Sequence, residues 1–339
     1  MKNLRFAIFG TGFWARYQLA AWRELEGAQC VALYNRTRAR AEALAREFSV
    51  PGVYDNPEEL LRRERPDFID VITSVDTHSR FVHLAAAHGV PVICQKPMAT
   101  SVAEAEAMVA TCQQAGVPFY IHENWRWQRP IRELKRVLAS GEIGEPFRGR
   151  VSFCCSFPVF DNQPFLREIE RFILTDIGSH VLDVARFLLG EVEALYCQTR
   201  RVNPVIRGED MATVMMKTRR DCTVTCEMSY ASRLEHDRFP ETCILVEGDQ
   251  GSVELGPDCW LRVTTSASTL ARRCPPPRYT WADPAYDLVH SSIVPCNANL
   301  LAGLQGKATP ETTGEDNLRT VRLVFSAYDS AASGETVRP

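Results

Sequence analysis

Hydrophobic residues fall into two rhythms along this chain. As far as about residue 122, short β-branched apolar runs alternate with amphipathic segments of helical period. The runs lie at 5–9, 30–35, 68–73, 92–94 and 118–121, and the helical patterns at 13–25, 37–47, 57–63, 77–88 and 101–115. Strand and helix in strict alternation predict a parallel sheet covered by helices. Gly27, Gly89 and Gly116 each stand just past a helical pattern, where a left-handed closing residue favours glycine.

Beyond about residue 150 the strand-like runs follow one another directly, at 150–153, 194–200, 212–217, 223–229, 243–247 and 252–255. Turns such as Gly248-Asp249-Gln250-Gly251 between them predict an antiparallel sheet, with helices at 129–140, 176–189 and 315–331 over one face. The stretch 265–295, with Pro275, Pro276 and Pro277, reads as a long irregular excursion. The change of rhythm predicts an α/β protein of two domains, 1–122 and 123–339.

Composition narrows the function. The 339 residues are 45% hydrophobic, enough to bury two cores. Thirty-nine Lys and Arg against 42 Asp and Glu leave a net charge of -3, so no cationic field points to nucleic acid or to an anionic membrane. A small molecule is the expected partner. No apolar run is long enough to span a bilayer, and the first run ends at Gly10 without a leader-cleavage pattern, so a cytoplasmic enzyme is expected. The twelve cysteines show no paired metal-ligand spacing and most read as buried free thiols; no metal is expected, even from Cys222 and Cys226 or the adjacent Cys154 and Cys155.

The first apolar run leads into Gly10-Thr11-Gly12-Phe13-Trp14-Ala15, a G-x-G-x-x-A motif between strand and helix. Gly10 permits the tight turn, Gly12 lets backbone approach a pyrophosphate, and Ala15 allows close helix–strand packing. The helix N-terminus then faces the phosphates. After the second strand stand Asn35, able to bond a ribose, and Arg36, able to stack on adenine or pair with a 2′-phosphate. NAD is the expected cofactor, with NADP compatible; alternatively Asn35 caps the helix and Arg36 is merely solvated.

Together with Thr73-Ser74-Val75-Asp76-Thr77-His78, Gln95-Lys96-Pro97, Asp176-Ile177-Gly178-Ser179-His180, the Glu247–Ser252 hairpin and Thr312-Thr313-Gly314-Glu315-Asp316, these glycines make the chain resemble the Gfo/Idh/MocA family along nearly its whole length. The resemblance implies an N-terminal Rossmann domain and a C-terminal α/β domain with an open, mostly antiparallel sheet. It implies a nicotinamide cofactor and a sugar or polyol substrate. By motif position, Lys96, Asp176 and His180 are the catalytic group. The cofactor is expected on Gly10, Gly12, Phe13, Trp14, Asn35, Arg36, Thr73, Ser74, His78, Gln95, Lys96 and Arg126, and the substrate on Lys96, Trp127, Gln128, Asp176 and His180. Two positions depart from the family pattern: Gln95 replaces the usual Glu before the lysine, and Ser74 the usual Pro after Thr73.

The residues support these roles on physical grounds. Oxidising an alcohol needs a base at the hydroxyl while hydride leaves the same carbon. Lys96 follows an apolar strand, at the strand end where α/β sheets bind ligands. Asp176 and His180 are spaced i, i+4 and share one face of the predicted 176–189 helix, with Asp183 a turn further on. Which of Lys96 and His180 takes the proton is left open. The segment from His122 to Gln128 mixes Trp125 and Trp127 with polar groups, a combination that suits a carbohydrate, while His122 reads as structural. That segment and Gln95-Lys96-Pro97-Met98 resemble the D-apiose dehydrogenase branch, which implies oxidation of a branched furanose to its lactone. The alternatives are a glycosidase with a retained NAD and a non-catalytic cofactor-binding regulator. A homodimer or homotetramer is expected, because an open sheet face commonly pairs.

Overall fold

The structure, a computed structural model, describes residues 3–339 and divides them into two compact units; Met1 and Lys2 lie outside the described residues. The first unit runs to Asn124 and also takes in Tyr279–Asp283 and His290–Val321. The second comprises Trp125–Arg278, Pro284–Val289 and Arg322–Pro339. The single boundary expected at 122/123 is thus replaced by several crossings, because the excursion after the second sheet returns residues to the first unit.

In the first unit β1 (Leu4–Phe9), β2 (Ala28–Tyr34), β3 (Gly52–Tyr54), β4 (Phe68–Val71), β5 (Val92–Gln95) and β6 (Phe119–His122) form an all-parallel sheet in the order β3-β2-β1-β4-β5-β6. Helices α1 (Phe13–Arg23), α2 (Arg38–Phe48), α3 (Pro57–Glu64), α4 (His78–Ala87) and α5 (Val102–Ala115) connect the strands. The order reverses direction between β1 and β4, and ligands of such sheets bind at the strand C-termini beside that switch point. The strands are buried as runs, as both-face coverage requires: Ile8, Phe9, Leu33, Ile69 and Ile93 are all within the core. β3 escapes sequence reading because it is three residues long. β2 and β4 stop short of Asn35 and Thr73, leaving both residues in the loops at the sheet's C-terminal edge.

The second unit carries α6 (Arg129–Ser140), β7 (Pro146–Cys154), the single turn α7 (Val159–Asn162), α8 (Ser179–Leu189) and the strands β8 (Val192–Arg200), β9 (Met211–Thr218), β10 (Thr223–Ser229), β11 (Cys243–Gly248), β12 (Gly251–Gly256), β13 (Trp260–Thr265) and β14 (Thr269–Arg273). These make an eight-stranded sheet in the order β14-β13-β12-β11-β7-β10-β9-β8. Gly248 pairs with Gly251 across the two-residue hairpin, as its sequence predicts. One pair, β7 with β10, is parallel, so the sheet is mixed rather than purely antiparallel. Alternate residues of β9, β10 and β11 are buried, giving one covered and one open face.

The stretch 265–295 is not wholly irregular: it contains β14 and the start of α9 (Asp287–Leu304), which α10 (Gly314–Ser333) follows. α9 was hidden because Pro295 lies inside it and its sequence is apolar on most sides, which leaves no amphipathic period to read. The twelve cysteines are all free, with Cys30, Cys154 and Cys243 partly exposed.

Asp70 is a lone carboxylate in the buried run of β4. Its Oδ2 accepts hydrogen bonds from Trp22 Nε1 (2.8 Å) and Gln18 Nε2 (3.0 Å), while Oδ1 meets no donor among the described residues. Burial pushes this carboxyl up to about 6 from its ordinary 3.8. The native state therefore holds the proton more tightly than the unfolded chain, so stability from this residue is complete below pH 3.8 and is lost as pH rises to about 6. Asp70→Asn keeps an acceptor without the charge. Its melting temperature should gain on that of the parent chain across this interval and hold a constant lead above it, on the order of 3 kcal/mol in stability. A lead that stays flat from pH 4 to 7 contradicts the assignment.

Candidate active site

The glycine motif is built as its chemistry requires. Gly10 has φ +100°, and its N–H bonds the Tyr34 carbonyl (2.8 Å). A Cβ there would lie 2.5 Å from the Ile72 carbonyl oxygen, so only glycine fits between the ends of β2 and β4. Gly12 is the opposite case: a Cβ there meets nothing within 4 Å. It is the N-cap of α1 and offers no side chain to the first-turn amides, which leaves them open to an anion. Open backbone amides, a helix N-terminus and space over Gly12 fit a dinucleotide pyrophosphate.

Around this turn Asn35 Nδ2 donates to Thr11 Oγ1, and Asn35 Oδ1 accepts from the Thr37 N–H (3.3 Å), tying the β2 loop to the glycine loop and to the start of α2. Arg36 is exposed. Phe13 is 54% exposed, and Trp14 is half-buried with its ring edge-on to His290 at 5.6 Å. His290 stacks on Tyr17 (3.9 Å) and accepts the Asp283 N–H, and Trp281 donates to Glu24 at the end of α1 (2.8 Å). Residues 279–283 and α9 thus brace the helix that carries the motif, a role the sequence left unassigned.

Two residues expected on the cofactor also make contacts within the protein. The buried His78 ring lies 3.1 Å from both the Thr73 carbonyl and the Pro97 carbonyl, so it links the loops after β4 and β5. Burial lowers its pKa, which favours the neutral ring. Gln95 is buried: Nε2 donates to Gln18 Oε1 (3.4 Å) and lies 3.1 Å from His122 Nδ1, and Oε1 accepts the Lys96 N–H (3.2 Å). A carboxylate could not donate to Gln18, so the amide in place of the family's Glu completes a chain from Asp70 through Gln18 to the Lys96 backbone. Lys96 itself is half-buried at the end of β5. Thr73 and Ser74 stay at the sheet edge, with the Thr77 hydroxyl 2.8 Å from both Thr73 Oγ1 and the Ser74 carbonyl, and Ser74 is exposed.

In the second unit Asp176 does not stand on a regular α-helix. Leu174–Gly178 is a π-turn, and α8 begins only at Ser179, so Asp176 and His180 stand on either side of a change of helical form. The His180 ring lies flat on Trp125, with centroids 4.4 Å apart and planes 4° from parallel. Asp176 Oδ2 accepts from the Tyr230 hydroxyl (3.2 Å). Arg126, expected on the cofactor, is 4% exposed and bidentate to the fully buried Asp183, with Nε–Oδ2 2.8 Å and Nη2–Oδ1 2.5 Å. Arg186 approaches the same carboxylate at 3.7 Å. Gln128, expected on the substrate, is 1% exposed at the start of α6, and its Nε2 finds no partner among the described residues. Trp127 is half-buried with the Arg132 guanidinium 4.3 Å over its ring. Sequence reading missed Tyr230, Glu209 and Gln18; only Asp70, a charge inside an apolar run, left a local signal.

Comparison with known proteins agrees with this architecture. Residues 4–123 match the Gfo/Idh/MocA oxidoreductase family, NAD-binding Rossmann fold, and residues 131–254 match the Gfo/Idh/MocA C-terminal domain. The chain belongs to the Gfo/Idh/MocA family of NAD-binding oxidoreductases. Within it, the chain is 41% identical over 337 residues to D-apiose dehydrogenase of Paraburkholderia graminis, covering 99% of this chain and 90% of that protein. It is 42% identical to D-apiose dehydrogenase of Rhizobium rhizogenes, covering 99% and 98%. An oxidoreductase from Agrobacterium radiobacter, crystallised with NAD+, L-tartaric acid and magnesium, superposes with a TM-score of 0.98 at 41% identity, covering 99% of this chain and 98% of that one.

The two glycines separate folding from binding. Gly12→Val should leave the chain folded, since a Cβ there meets nothing within 4 Å, and should weaken NAD binding by roughly ten-fold or more by titration calorimetry. Gly10→Ala should destabilise the fold by about 1–3 kcal/mol, because both φ and the Ile72 carbonyl oppose it. Unchanged NAD affinity in Gly12→Val would contradict the cradle.

Proposed function

We propose that this chain is an NAD-dependent sugar dehydrogenase whose substrate is D-apiose, oxidised at its anomeric hydroxyl to the lactone. The observation that carries the reading is 41–42% identity along nearly the whole chain to two D-apiose dehydrogenases, joined to a glycine turn and helix N-terminus fit for the dinucleotide. When bound, NAD supplies the hydride acceptor at nicotinamide C4. Gly10, Gly12 and the α1 amides hold its phosphates, and Asn35 and Arg36 take the ribose and adenine side. Thr73, Ser74 and Trp14 complete the cofactor's surroundings.

The protein's own part is to hold the sugar and accept one proton. Lys96 and His180 act on the reacting hydroxyl, and the proton passes to one of these two nitrogens as the carbonyl forms. Asp176 accepts a hydrogen bond from a neighbouring sugar hydroxyl and so fixes the sugar's orientation. Trp125 keeps the His180 imidazole in one plane, and Trp127 offers an aromatic face to sugar C–H groups. His78 and Gln95 act at one remove, setting the loop and backbone from which Lys96 projects.

A cytoplasmic homo-oligomer is the assembly we favour. The open face of the eight-stranded sheet carries cross-strand pairs Arg148–Glu247 and Arg150–Glu227 beside the 52%-exposed Met215, a mixed surface able to meet its own copy. Sedimentation showing only monomer at working concentration would contradict that assembly.

Activity is tested by following reduced nicotinamide on mixing the chain with NAD and D-apiose, other aldoses or cyclitols. D-apiose should give the highest kcat/KM. Lys96→Ala should lower kcat by about 10²–10⁴-fold. Silence across the panel would overturn the dehydrogenase reading, and release of a leaving group without reduced cofactor would favour the glycosidase instead.

A further inference from the structure

Two of the contacts that place Asp176 come from far along the chain. Its backbone lies in the π-turn Leu174–Gly178, a form that adds a residue to the helical turn and displaces the usual hydrogen bonds. The turn's leading amides go to one residue: Leu174 N–H donates to Glu209 Oε1 (3.3 Å) and Ile173 N–H to the Glu209 carbonyl (3.2 Å). Glu209 Oε1 is itself held by the Tyr328 hydroxyl (2.6 Å). The backbone of the turn is thereby anchored to two distant points of the same unit.

The Asp176 side chain is held by Tyr230. This residue follows β10, and its N–H donates to the Asp210 carbonyl (3.0 Å). Its ring stacks on Phe172 (5.7 Å, 13°) and meets Phe153 edge-on (5.9 Å, 80°), which leaves the hydroxyl little freedom. The hydroxyl donates to Asp176 Oδ2 at 3.2 Å. Burial, then the charge of Asp176, push the phenol well above its ordinary pKa, so the group remains a donor at every working pH. A tyrosine needed only to fill this core could be Phe; the hydroxyl has the Asp176 carboxylate as its hydrogen-bond acceptor.

We infer that Tyr230 is a positioning residue of the reaction: its buried hydroxyl locks the Asp176 carboxylate in one orientation, and that orientation sets how the sugar is held for oxidation. This rests on the reading of Asp176 as the group that orients the sugar. Misplacing an orienting group by a fraction of an ångström to one ångström slows turnover by up to about 10²-fold while leaving remote binding intact. The effect therefore travels through Asp176 alone.

The test is a double-substitution cycle on the full chain with NAD and D-apiose. Tyr230→Phe should lower kcat by about ten-fold or more while the KM for NAD stays within about two-fold. In an Asp176→Asn background the same change should have no further effect on the residual rate. A merely structural tyrosine would lower both backgrounds alike, and that result overturns the inference. So does a Tyr230→Phe chain with full activity beside an inactive Asp176→Asn chain, an outcome that leaves the dehydrogenase reading standing. Full activity in Asp176→Asn itself would instead remove the role of Asp176, and the inference with it. Should Tyr230→Phe fail to fold, 3-fluorotyrosine at position 230 retains ring and donor, and a loss as deep as that of Asp176→Asn contradicts the inference.

Discussion

The close passage of the chain at Gly10 governs the first unit. Its amide is bonded to the end of β2, and the Ile72 carbonyl at the end of β4 occupies the space where any other residue would carry a Cβ. The backbone can leave β1 there only with a positive φ, and it then enters α1 with Gly12 as a bare N-cap. A helix that begins with no side chain on its first amides has unmet donors and a favourable field for negative charge. A turn fit for a dinucleotide phosphate is thus a consequence of how the parallel strands pack. The rest of the unit keeps that turn in register: Asn35 ties it to β2, and His290 and Trp281 press on α1 from residues far along the chain.

Around Lys96 the arrangement follows from the need to pair buried polar groups. Gln18 donates to Asp70 and accepts from Gln95, so a neutral amide at 95 is what lets the row of donors point one way. His78 meets the carbonyls of two neighbouring loops and so couples their positions. In the second unit, Asp183 is buried together with Arg126 and Arg186, and removing it would strip Arg126 of its bidentate carboxylate, at a cost of about 3–5 kcal/mol, while Arg186 keeps Glu191. That pair fixes the segment bearing Trp125, on which His180 lies. Groups proposed for the chemistry are in each case held by neighbours that take no part in it.

The sequence makes legible whatever depends on local period or on a short motif. The strand–glycine–helix start, the five longer parallel strands, the Gly248–Gly251 hairpin and the position of Lys96 at a strand end can all be read without coordinates. What cannot be read depends on partners far apart in the chain. The π-turn under Asp176 needs Glu209 and Tyr328, and regular helical spacing gives no hint of it. His78 and Gln128 look like polar ligands in sequence, yet both are buried within the protein. α9 lacks a polar face and contains Pro295, so its apolar composition hides its helical period. Tyr230 stands 54 positions from the carboxylate it contacts.

The reaction proposed for this family member is hydride transfer from one carbon of a sugar to a nicotinamide cofactor. The most direct test of that account follows the hydrogen itself. D-apiose carrying deuterium on its anomeric carbon should transfer the label to C4 of the nicotinamide, one deuteron for each lactone formed, as read by mass spectrometry and NMR of the reduced cofactor. Lactone formed while the reduced cofactor stays unlabelled, or label lost to solvent instead, would contradict it.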